Sequence, residues 1–403
     1  MKPLISPLLG LSILIASSLT TAASTEIEFD ISGRIGAELR LFNQNGRYEG
    51  QNYKANVSMF VEPAFTWQWN NGYDAAVITP FFRVDQQDSK RSHVDLREGY
   101  WLHVDDTWEL KLGVAQVFWG VTEFQHLSDV INQTDFVEDI DGEDKLGQPL
   151  LKLSLVRDMG IFDVYILPGF REQTSAGSHG RFRLPIVIDN DDANYESSRK
   201  DKHVDVALRW SHSTGPFDLG AYIFKGTNRE AVLNSRLEGS ELNLVPYYTQ
   251  MTQVGGDLQY TSGNWLWKAE GIWRDTKEHT LRATQTGFEY TFYGIANSAI
   301  DMGMLAEYSW DSDGEKSSRL FQNDLSIGVR FGMNDVQSTE VLMGLTYDLD
   351  YHSTSFGLEA SRRLGNSWKL SLDARIFNAN DTEDPLYTID DDNYIGLTLE
   401  RYF

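Results

Sequence analysis

The last nine residues of the chain alternate between apolar and polar side chains and end in an aromatic residue. Ile395, Leu397, Leu399 and Phe403 share one face of an extended strand, and the residues between them, which include Glu400, share the other. A period of two predicts a β-strand that is buried in an apolar medium on one side and wetted on the other. One face of the C-terminal strand is therefore expected to contact either a hydrophobic core or lipid, and the other face is expected to contact water.

The N-terminus has the features of a secretory signal peptide. Lys2 supplies the positive start, Leu8 to Ala16 are mostly apolar, and small and polar residues follow up to residue 23. We predict cleavage after residue 23, which leaves 24–403 as a single domain. No later run approaches about 18 apolar residues, so no transmembrane helix is predicted. A chain of this kind can cross a membrane only as a closed barrel.

Composition excludes several classes of function. The chain has no cysteine, so disulfides, thiolate metal sites and cysteine nucleophiles are excluded. The formal net charge of −24 argues against a nucleic-acid partner and is compatible with cations. The mean hydropathy of −0.38 suits a large barrel as well as a soluble protein, because only alternate residues of a barrel strand face lipid.

The joints between strand-like runs alternate in length. Short joints have the residues of tight turns, at 70–72, 105–106, 158–160, 213–216, 261–264, 296–298, 333–335 and 364–366. Long joints are polar and acidic, at 43–52, 86–92, 118–148, 172–202, 226–248, 275–284, 311–319, 350–354 and 379–392. This rhythm is typical of the periplasmic turns and extracellular loops of an outer-membrane barrel.

We therefore predict an all-β fold, a single transmembrane antiparallel β-barrel of eighteen strands. The strands begin near Ile27, Tyr53, Asp74, His93, Thr107, Pro149, Ile161, His203, Phe217, Thr249, Asn264, Gln285, Ile300, Leu320, Thr339, Ser355, Ser367 and Asn393. The tenth strand is the weakest, because residues 242–250 could belong to it or to the preceding loop. Sixteen strands is the alternative count, and a soluble β-sandwich is the alternative fold. Phe403 would be the membrane-insertion signal.

Alternation also predicts which side chains face the lumen. Apolar rows such as Val57-Met59-Val61 and Phe321-Leu325-Ile327 would face outward. The predicted inward charges are Glu62, Lys111, Arg209, Lys268, Glu270, Arg274, Asp324, Arg330 and Arg375. The basic members either form a ladder opposite acidic groups or pair with neighbouring acids, and both interpretations stay open.

Two charges fall on outward rows. Glu98 requires either a local β-bulge or a protein contact, and the long side chain of Arg401 would reach toward lipid headgroups.

The joint from Phe118 to Gln148 contains apolar residues that suit a packed loop better than an exposed one. We expect it to fold into the barrel and narrow the lumen, although a lid or an oligomer contact would also bury these residues. The predicted constriction residues are Phe118, Trp119, Asp129, Asn132, Asp135, Glu138, Asp139 and Asp141. Their carboxylates would favour cations if they line the pore, and would be a solvated loop tip otherwise.

No metal ligands are assigned from the sequence. Asp139, Asp141 and Gly142 resemble a fragment of a calcium loop, but Val137 and Gln148 stand where its first and last ligands belong. Loose binding of divalent cations by the acidic loops is the alternative.

Two segments carry a family resemblance. Trp119-Gly120 followed by 129–132, and the closing residues 391–394 and 399–403, resemble the alginate-export-like and porin-like barrels of Gram-negative bacteria. The resemblance implies an outer-membrane location and a porin or exporter class. Alginate itself is not expected as the solute, because the lumen of those exporters is strongly basic, whereas the charges predicted here are mixed.

We hypothesise a porin-like channel for passive diffusion of small polar solutes, with a preference for cations. No catalytic residues are assigned, because the eight histidines are scattered and no G-x-S-x-G or H-E-x-x-H motif occurs. No cofactor is expected. The expected partners are outer-membrane lipid, lipopolysaccharide, the barrel-assembly machinery and small solutes, with the oligomeric state open.

The alternative is a substrate-specific exporter or uptake channel for an oligosaccharide, an aromatic acid or a hydrophobic compound. A line of aromatic side chains along the lumen would favour it. The candidates are Phe60, Trp101, Tyr165, Tyr222, Phe224 and Tyr293. A plugged structural or adhesive barrel is the third hypothesis.

Overall fold

The computed structural model describes residues 26–239, 241–317 and 319–403. The predicted signal peptide, residues 1–23, lies outside the described residues. In chain order the strands are β1 (Glu28–Phe42), β2 (Ala55–Trp69), β3 (Asp74–Asp85), β4 (His93–Asp105), β5 (Trp108–Ala115), β6 (Gln148–Arg157), β7 (Gly160–Pro168), β8 (Asn194–Tyr195), β9 (Val204–Thr214), β10 (Phe217–Thr227), β11 (Val232–Glu238), β12 (Glu241–Tyr248), β13 (Gln250–Ser262), β14 (Trp265–Thr276), β15 (Thr280–Phe292), β16 (Asp301–Asp311), β17 (Asn323–Gly332), β18 (Glu340–Asp348), β19 (Thr354–Leu364), β20 (Trp368–Asn378) and β21 (Tyr394–Tyr402).

Eighteen of these strands form one closed antiparallel barrel. Each pairs with its neighbour along the chain, and β1 pairs with β21, with Leu39 opposite Leu397. Phe403 completes the seam, because its amide donates to the Gly33 carbonyl at 3.1 Å and its carbonyl accepts from the Gly33 amide at 3.0 Å. The predicted all-β barrel of eighteen strands is confirmed, and the sixteen-strand and sandwich alternatives are wrong.

The three remaining strands lie outside the barrel. Within the described residues, β12 pairs antiparallel with β11 and parallel with β8. This small sheet belongs to the long joints on either side of β9 and β10. Residues 241–248 are therefore a strand of the loop, and the tenth barrel strand begins at Gln250.

The joints divide the barrel into two ends. Short turns between β2 and β3, and then between every second pair of barrel strands, define the turn end, and the longer joints define the loop end.

The joint predicted at 275–284 is only 277–279, because β15 already begins at Thr280. Within the part of the chain that the structure describes, six short 3-10 helices lie in these joints, at Asn70–Gly72, Asn190–Asp192, Lys200–Lys202, Ile295–Asn297, Gly314–Lys316 and Pro385–Ile389. Among the described residues, no helix combines the length and apolar character needed to cross a membrane.

Apolar side chains cover the outside of the barrel. Val57 and Met59 are exposed on β2, whereas Ser58 between them is buried. Leu325 and Ile327 are exposed on β17 in the same way, with the buried Ser326 between them. Phe321 departs from the predicted row, because it precedes β17 and lies in a joint.

A β-bulge in β4 explains the charge at Glu98. Thr79 pairs with Glu98 and Pro80 with Leu96, so Arg97 is an extra residue in β4. Pro80 has no N–H to give to the ladder, which makes an interrupted register tolerable at this point. Arg97 and Glu98 consequently both face inward, so of the two explanations given for the charge at Glu98 the β-bulge is confirmed. Arg401 does face outward, with its guanidinium 5.8 Å from the Trp368 ring centre.

Candidate functional site

The joint between β5 and β6, residues 116–147, lies inside the barrel and is called L3 here. Ile131 of L3 is 0% exposed. The Trp119 ring packs against two inward rings of the wall, 5.5 Å from Tyr165 and 4.9 Å from Tyr222. Burial of these aromatic surfaces stabilises the inserted position, since an exposed loop would leave them in water.

Two inward carboxylates hold the tip of L3. Glu270 Oε1 accepts from the amide of Val121 at 2.6 Å and from the amide of Thr122 at 3.0 Å, and Glu270 Oε2 accepts from the amide of Ser128 at 2.8 Å. Glu307 accepts from the amides of Glu123 and Phe124 at 2.8 and 3.1 Å. Hydrogen bonds from buried amides to a carboxylate are among the stronger ones in proteins, so these two side chains fix the loop against β14 and β16.

Asn132 joins the two limbs of L3. Its side-chain oxygen accepts from the Val117 amide at 2.8 Å, and its side-chain nitrogen donates to the carbonyls of Ala115 and Leu146 at 2.9 and 2.7 Å. Asp129 contributes an ion pair with Lys145 at 3.2 Å. Trp119, Asp129 and Asn132 are therefore buried supports of the loop and do not line the lumen cavities described below.

The second limb of L3 meets a row of arginines on the opposite wall. The ion pairs are Asp135 with Arg97 at 2.7 Å, Glu138 with Arg83 at 2.6 Å, Asp139 with Arg40 at 3.4 Å, and Asp141 with Arg375 at 3.4 Å. A row of acidic loop residues thus faces a row of basic wall residues, and the members of the two rows also neutralise each other in pairs. Burial disfavours ionisation of Glu138, but the charges of Arg83 and Arg91 outweigh burial and lower the pKa of Glu138.

Two cavities lie on either side of this limb. The larger, of about 440 Å³, extends toward the turn end and reaches Arg34 and Glu62. The smaller, of about 100 Å³, lies at the loop end and is lined by Asp348 and Leu386 among others. Asp141 and Arg375 line both cavities. The ion pair between them therefore stands where the two spaces meet.

Acidic side chains outnumber basic ones around both spaces. Among the described residues that line the larger cavity, ten are Asp or Glu and seven are Lys or Arg. The corresponding numbers for the smaller cavity are five and one. Those of the acidic groups that are ionised raise the local concentration of cations in a narrow space.

The remaining predicted lumen charges all face inward. Their partners are Arg34 for Glu62 at 2.9 Å, Asp257 for Arg209 at 2.8 Å, Glu123 for Lys268 at 3.7 Å and for Arg330 at 2.6 Å, and Glu230 for Arg274 at 2.7 Å. Lys111 Nζ lies 4.2 Å from the Tyr100 ring centre, and Asp324 lines the smaller cavity.

The six aromatic candidates do not form a line along the lumen. Tyr165, Tyr222 and Phe224 are buried beneath L3. Trp101 faces outward, because it pairs with the exposed Leu112, and Tyr293 is 65% exposed in a short turn. Of the six, Phe60 lines the larger cavity. Phe118 was expected to be packed but is 41% exposed at the start of L3.

Four wall arginines were missed at the level of the sequence. They are Arg34, Arg40, Arg83 and Arg97, which line the larger cavity from β1, β3 and β4. For Arg34, Arg40 and Arg83 the alternation of their strands carried the signal, because each is followed by an exposed apolar residue, which is Ile35, Leu41 or Val84. The bulge interrupts the alternation of β4, so the direction of the Arg97 side chain could not be predicted from its neighbours.

No protein-family model matches the sequence, and no curated protein matches it. The resemblance to alginate-export-like barrels therefore gains no support from these comparisons. Among solved structures, OccD3 (OpdP) of Pseudomonas aeruginosa superposes with a TM-score of 0.53 at 10% identity, over 95% of this chain and 93% of that chain. At that identity the similarity shows a shared barrel fold.

Two further solved structures match with lower scores. A mutant of the porin of Rh. blastica has a TM-score of 0.45 at 10% identity, over 93% of this chain and 100% of that chain. Outer-membrane expressed OmpT of Vibrio cholerae has a TM-score of 0.44 at 10% identity, over 96% of this chain and 99% of that chain.

Proposed function

We propose that this protein is an outer-membrane channel of the porin type, through which small polar solutes diffuse passively with a preference for cations. The observation that carries the proposal is the pair of cavities that flank L3 and share Asp141 and Arg375. Solutes would enter from the loop end, pass this ion pair and leave through the larger cavity at the turn end.

The fold supports the proposed location. A barrel with an apolar exterior and a lumen lined by charged groups suits a bilayer, in which every backbone group must be paired within the protein. The barrel fold shared with OccD3 agrees with this assignment. In this orientation the short turns face the periplasm and the long loops face the cell exterior.

The lining supports a channel with little chemical specificity. Charged side chains dominate the larger cavity, and most of the candidate aromatic residues are packed under L3 or lie outside the lumen. A port for aromatic or hydrophobic compounds would need an apolar track along the whole lumen. Phe124, Phe356 and Phe377 line the smaller cavity, but the larger cavity beyond Asp141 and Arg375 is lined mainly by charged side chains. Hydrated ions and small polar molecules suit this lining better.

Reversal potentials across planar bilayers test the proposal. With purified protein in a KCl gradient, we expect a current that favours K⁺ over Cl⁻. Asp141→Asn should reduce the permeability ratio by about half, because one negative charge is removed from the junction of the two cavities. Asp106→Asn, in a turn remote from that junction, is the matched control and should leave the ratio unchanged. An anion-selective barrel or one that does not conduct would contradict the proposal.

Liposome swelling separates a general channel from a specific port. A general channel admits sugars and amino acids at rates that fall smoothly with solute size. Rapid entry of one chemical class, with exclusion of others of equal size, would establish the substrate-specific alternative instead.

A further inference from the structure

His93, the first residue of β4, has its ring held in one orientation. The Nδ1 atom lies 2.9 Å from the carbonyl oxygen of Arg91. A carbonyl only accepts, so Nδ1 carries a proton and donates it. In the neutral ring the Nε2 atom therefore presents a lone pair.

This lone pair faces two carboxylate oxygens of L3. His93 Nε2 lies 3.7 Å from Asp135 Oδ2 and 3.6 Å from Glu138 Oε1, and the three atoms all lie within 4.8 Å of one another. The side chain of Asp135 is 0% exposed, and Asp135 Oδ2 and His93 Nε2 have no hydrogen bond of good geometry in the protein. Arg97 and Arg83 pair with the two carboxylates, but the lone pair of His93 Nε2 is still repelled by their acceptor oxygens unless a cation or a proton lies between them.

The surrounding groups orient these three atoms. Arg97 Nη1 lies 2.7 Å from Asp135 Oδ2, and the Thr174 hydroxyl donates to Asp135 Oδ1 at 2.7 Å. Arg83 Nε donates to Glu138 Oε1 at 2.9 Å. A histidine that donates its second N–H to a backbone carbonyl, beside carboxylates that are themselves hydrogen-bonded, is the usual outer environment of a metal ligand set.

We propose that His93, Asp135 and Glu138 form a binding site for a divalent transition-metal ion, for which Zn²⁺ is the representative. The two edges of 3.6 and 3.7 Å are close to the separation of about 3.4 Å expected for ligands about 2.1 Å from a tetrahedral ion. One imidazole nitrogen with two carboxylates suits Zn²⁺ and its neighbours, whereas Mg²⁺ and Ca²⁺ favour oxygen ligands alone.

The site is reachable from the lumen and joins two elements. Glu138, Arg83 and Arg97 all line the larger cavity, so an ion can arrive from that space. His93 belongs to β4, whereas Asp135 and Glu138 belong to L3. A bound ion would therefore tie L3 to the wall in addition to the ion pairs with Arg97 and Arg83.

Isothermal titration with ZnCl₂ on the purified, untagged barrel in detergent tests the site directly. We expect one high-affinity Zn²⁺ ion per chain. His93→Gln keeps a polar side chain of similar size and should weaken binding at least tenfold, while circular dichroism reports an intact barrel. His279→Gln is the matched control, because His279 also faces a carboxylate, Asp313 at 2.7 Å, but on the exposed surface. This control should bind Zn²⁺ as the wild type does.

Three results would overturn the proposal. Absence of Zn²⁺ binding would mean that Arg97 and Arg83 balance the two carboxylates without a metal ion. If the wild type and His93→Gln bind Zn²⁺ equally, the ion lies on the acidic surface loops. The same conclusion follows if excess Ca²⁺ displaces Zn²⁺ from both proteins to the same extent. Binding does not depend on conduction, so it is separable from a failure of the proposed channel function.

Discussion

At the scale of single residues, Glu270 shows how an inward carboxylate can serve the structure of a loop. A charge on an inward row suggests a group that meets water and solute. Here both oxygens of Glu270 accept hydrogen bonds from backbone amides of L3. Glu307 does the same for the next two amides. The alternation of β14 predicted that the Glu270 side chain faces inward. Its hydrogen-bond partners depend on the course of a loop that lies nearly 150 residues earlier in the chain.

Glu270→Gln should loosen the tip of L3. The substitution keeps one acceptor oxygen and places an NH₂ group against backbone N–H donors, so the free energy of unfolding should fall by about 2 kcal/mol. Amide hydrogen exchange of residues 119–128 should become faster. Glu109→Gln, an inward carboxylate on β5, is the control and should leave exchange in L3 unchanged. Unaltered protection of L3 in Glu270→Gln would show that aromatic packing alone holds the loop.

At the scale of elements, the bulge in β4 places two consecutive charges on the same side of the wall. Arg97 is the inserted residue, and its guanidinium contacts Asp135 of L3. Regular alternation would have sent either Arg97 or Glu98 toward lipid, where a charge costs several kcal/mol at the bilayer midplane. A local irregularity of one residue thus supplies a support for L3 without an outward charge.

Deletion of Arg97 should be tolerated by the strand. Leu96 would still face outward and Glu98 inward, so the pairing with β3 on both sides of the bulge would survive. We expect a folded barrel whose loss of stability equals that of Arg97→Ala, because both variants lose the contact with Asp135. Deletion of Lys111 from the regular strand β5 is the contrasting case. It would turn Leu112 and Val114 inward and should prevent assembly.

Heat-modifiable mobility in SDS gels distinguishes these outcomes. Folded barrels of the wild type, Arg97→Ala and the Arg97 deletion should migrate alike before boiling. A deletion variant that fails to fold while Arg97→Ala folds would show that the bulge itself is required by the barrel.

At the scale of the whole molecule, charge is the property that governs the proposed transport. The net charge of −24 and the acidic surplus around both cavities act together on mobile ions. Many of these acids are paired with arginines, so the field at the junction depends on the balance between them. Such a field is screened within about 10 Å at 0.1 M salt and within about 3 Å at 1 M.

The preference for cations should therefore decline with ionic strength. We expect the K⁺/Cl⁻ permeability ratio from reversal potentials to be highest near 0.1 M KCl and to approach unity near 1 M. Asp141→Asn should show a weaker dependence on salt than the wild type. A ratio that stays constant over this range would indicate that close contacts with dehydrated ions, and not the general field, set the preference.

The number of strands, their bounds to within a few residues and the outward apolar rows were predictable, because alternation with a period of two is local information. The errors arose where local patterns are weak. Tyr293 lies just after the end of β15, and Phe321 lies just before the start of β17. The outward charge at Glu98 indicated a bulge as one of two explanations, but the sequence did not place it, so Trp101 was assigned to the wrong face.

The sequence by itself determined a closed barrel with an apolar exterior and charged interior, since each strand encodes its own two faces. Only the tertiary structure decided where L3 runs and which charges meet. Arg375 reaches Asp141, and His93 faces Asp135, because closure of the barrel brings distant strands around the same loop. Such contacts depend on the three-dimensional path of the chain, and no spacing along the sequence encodes them.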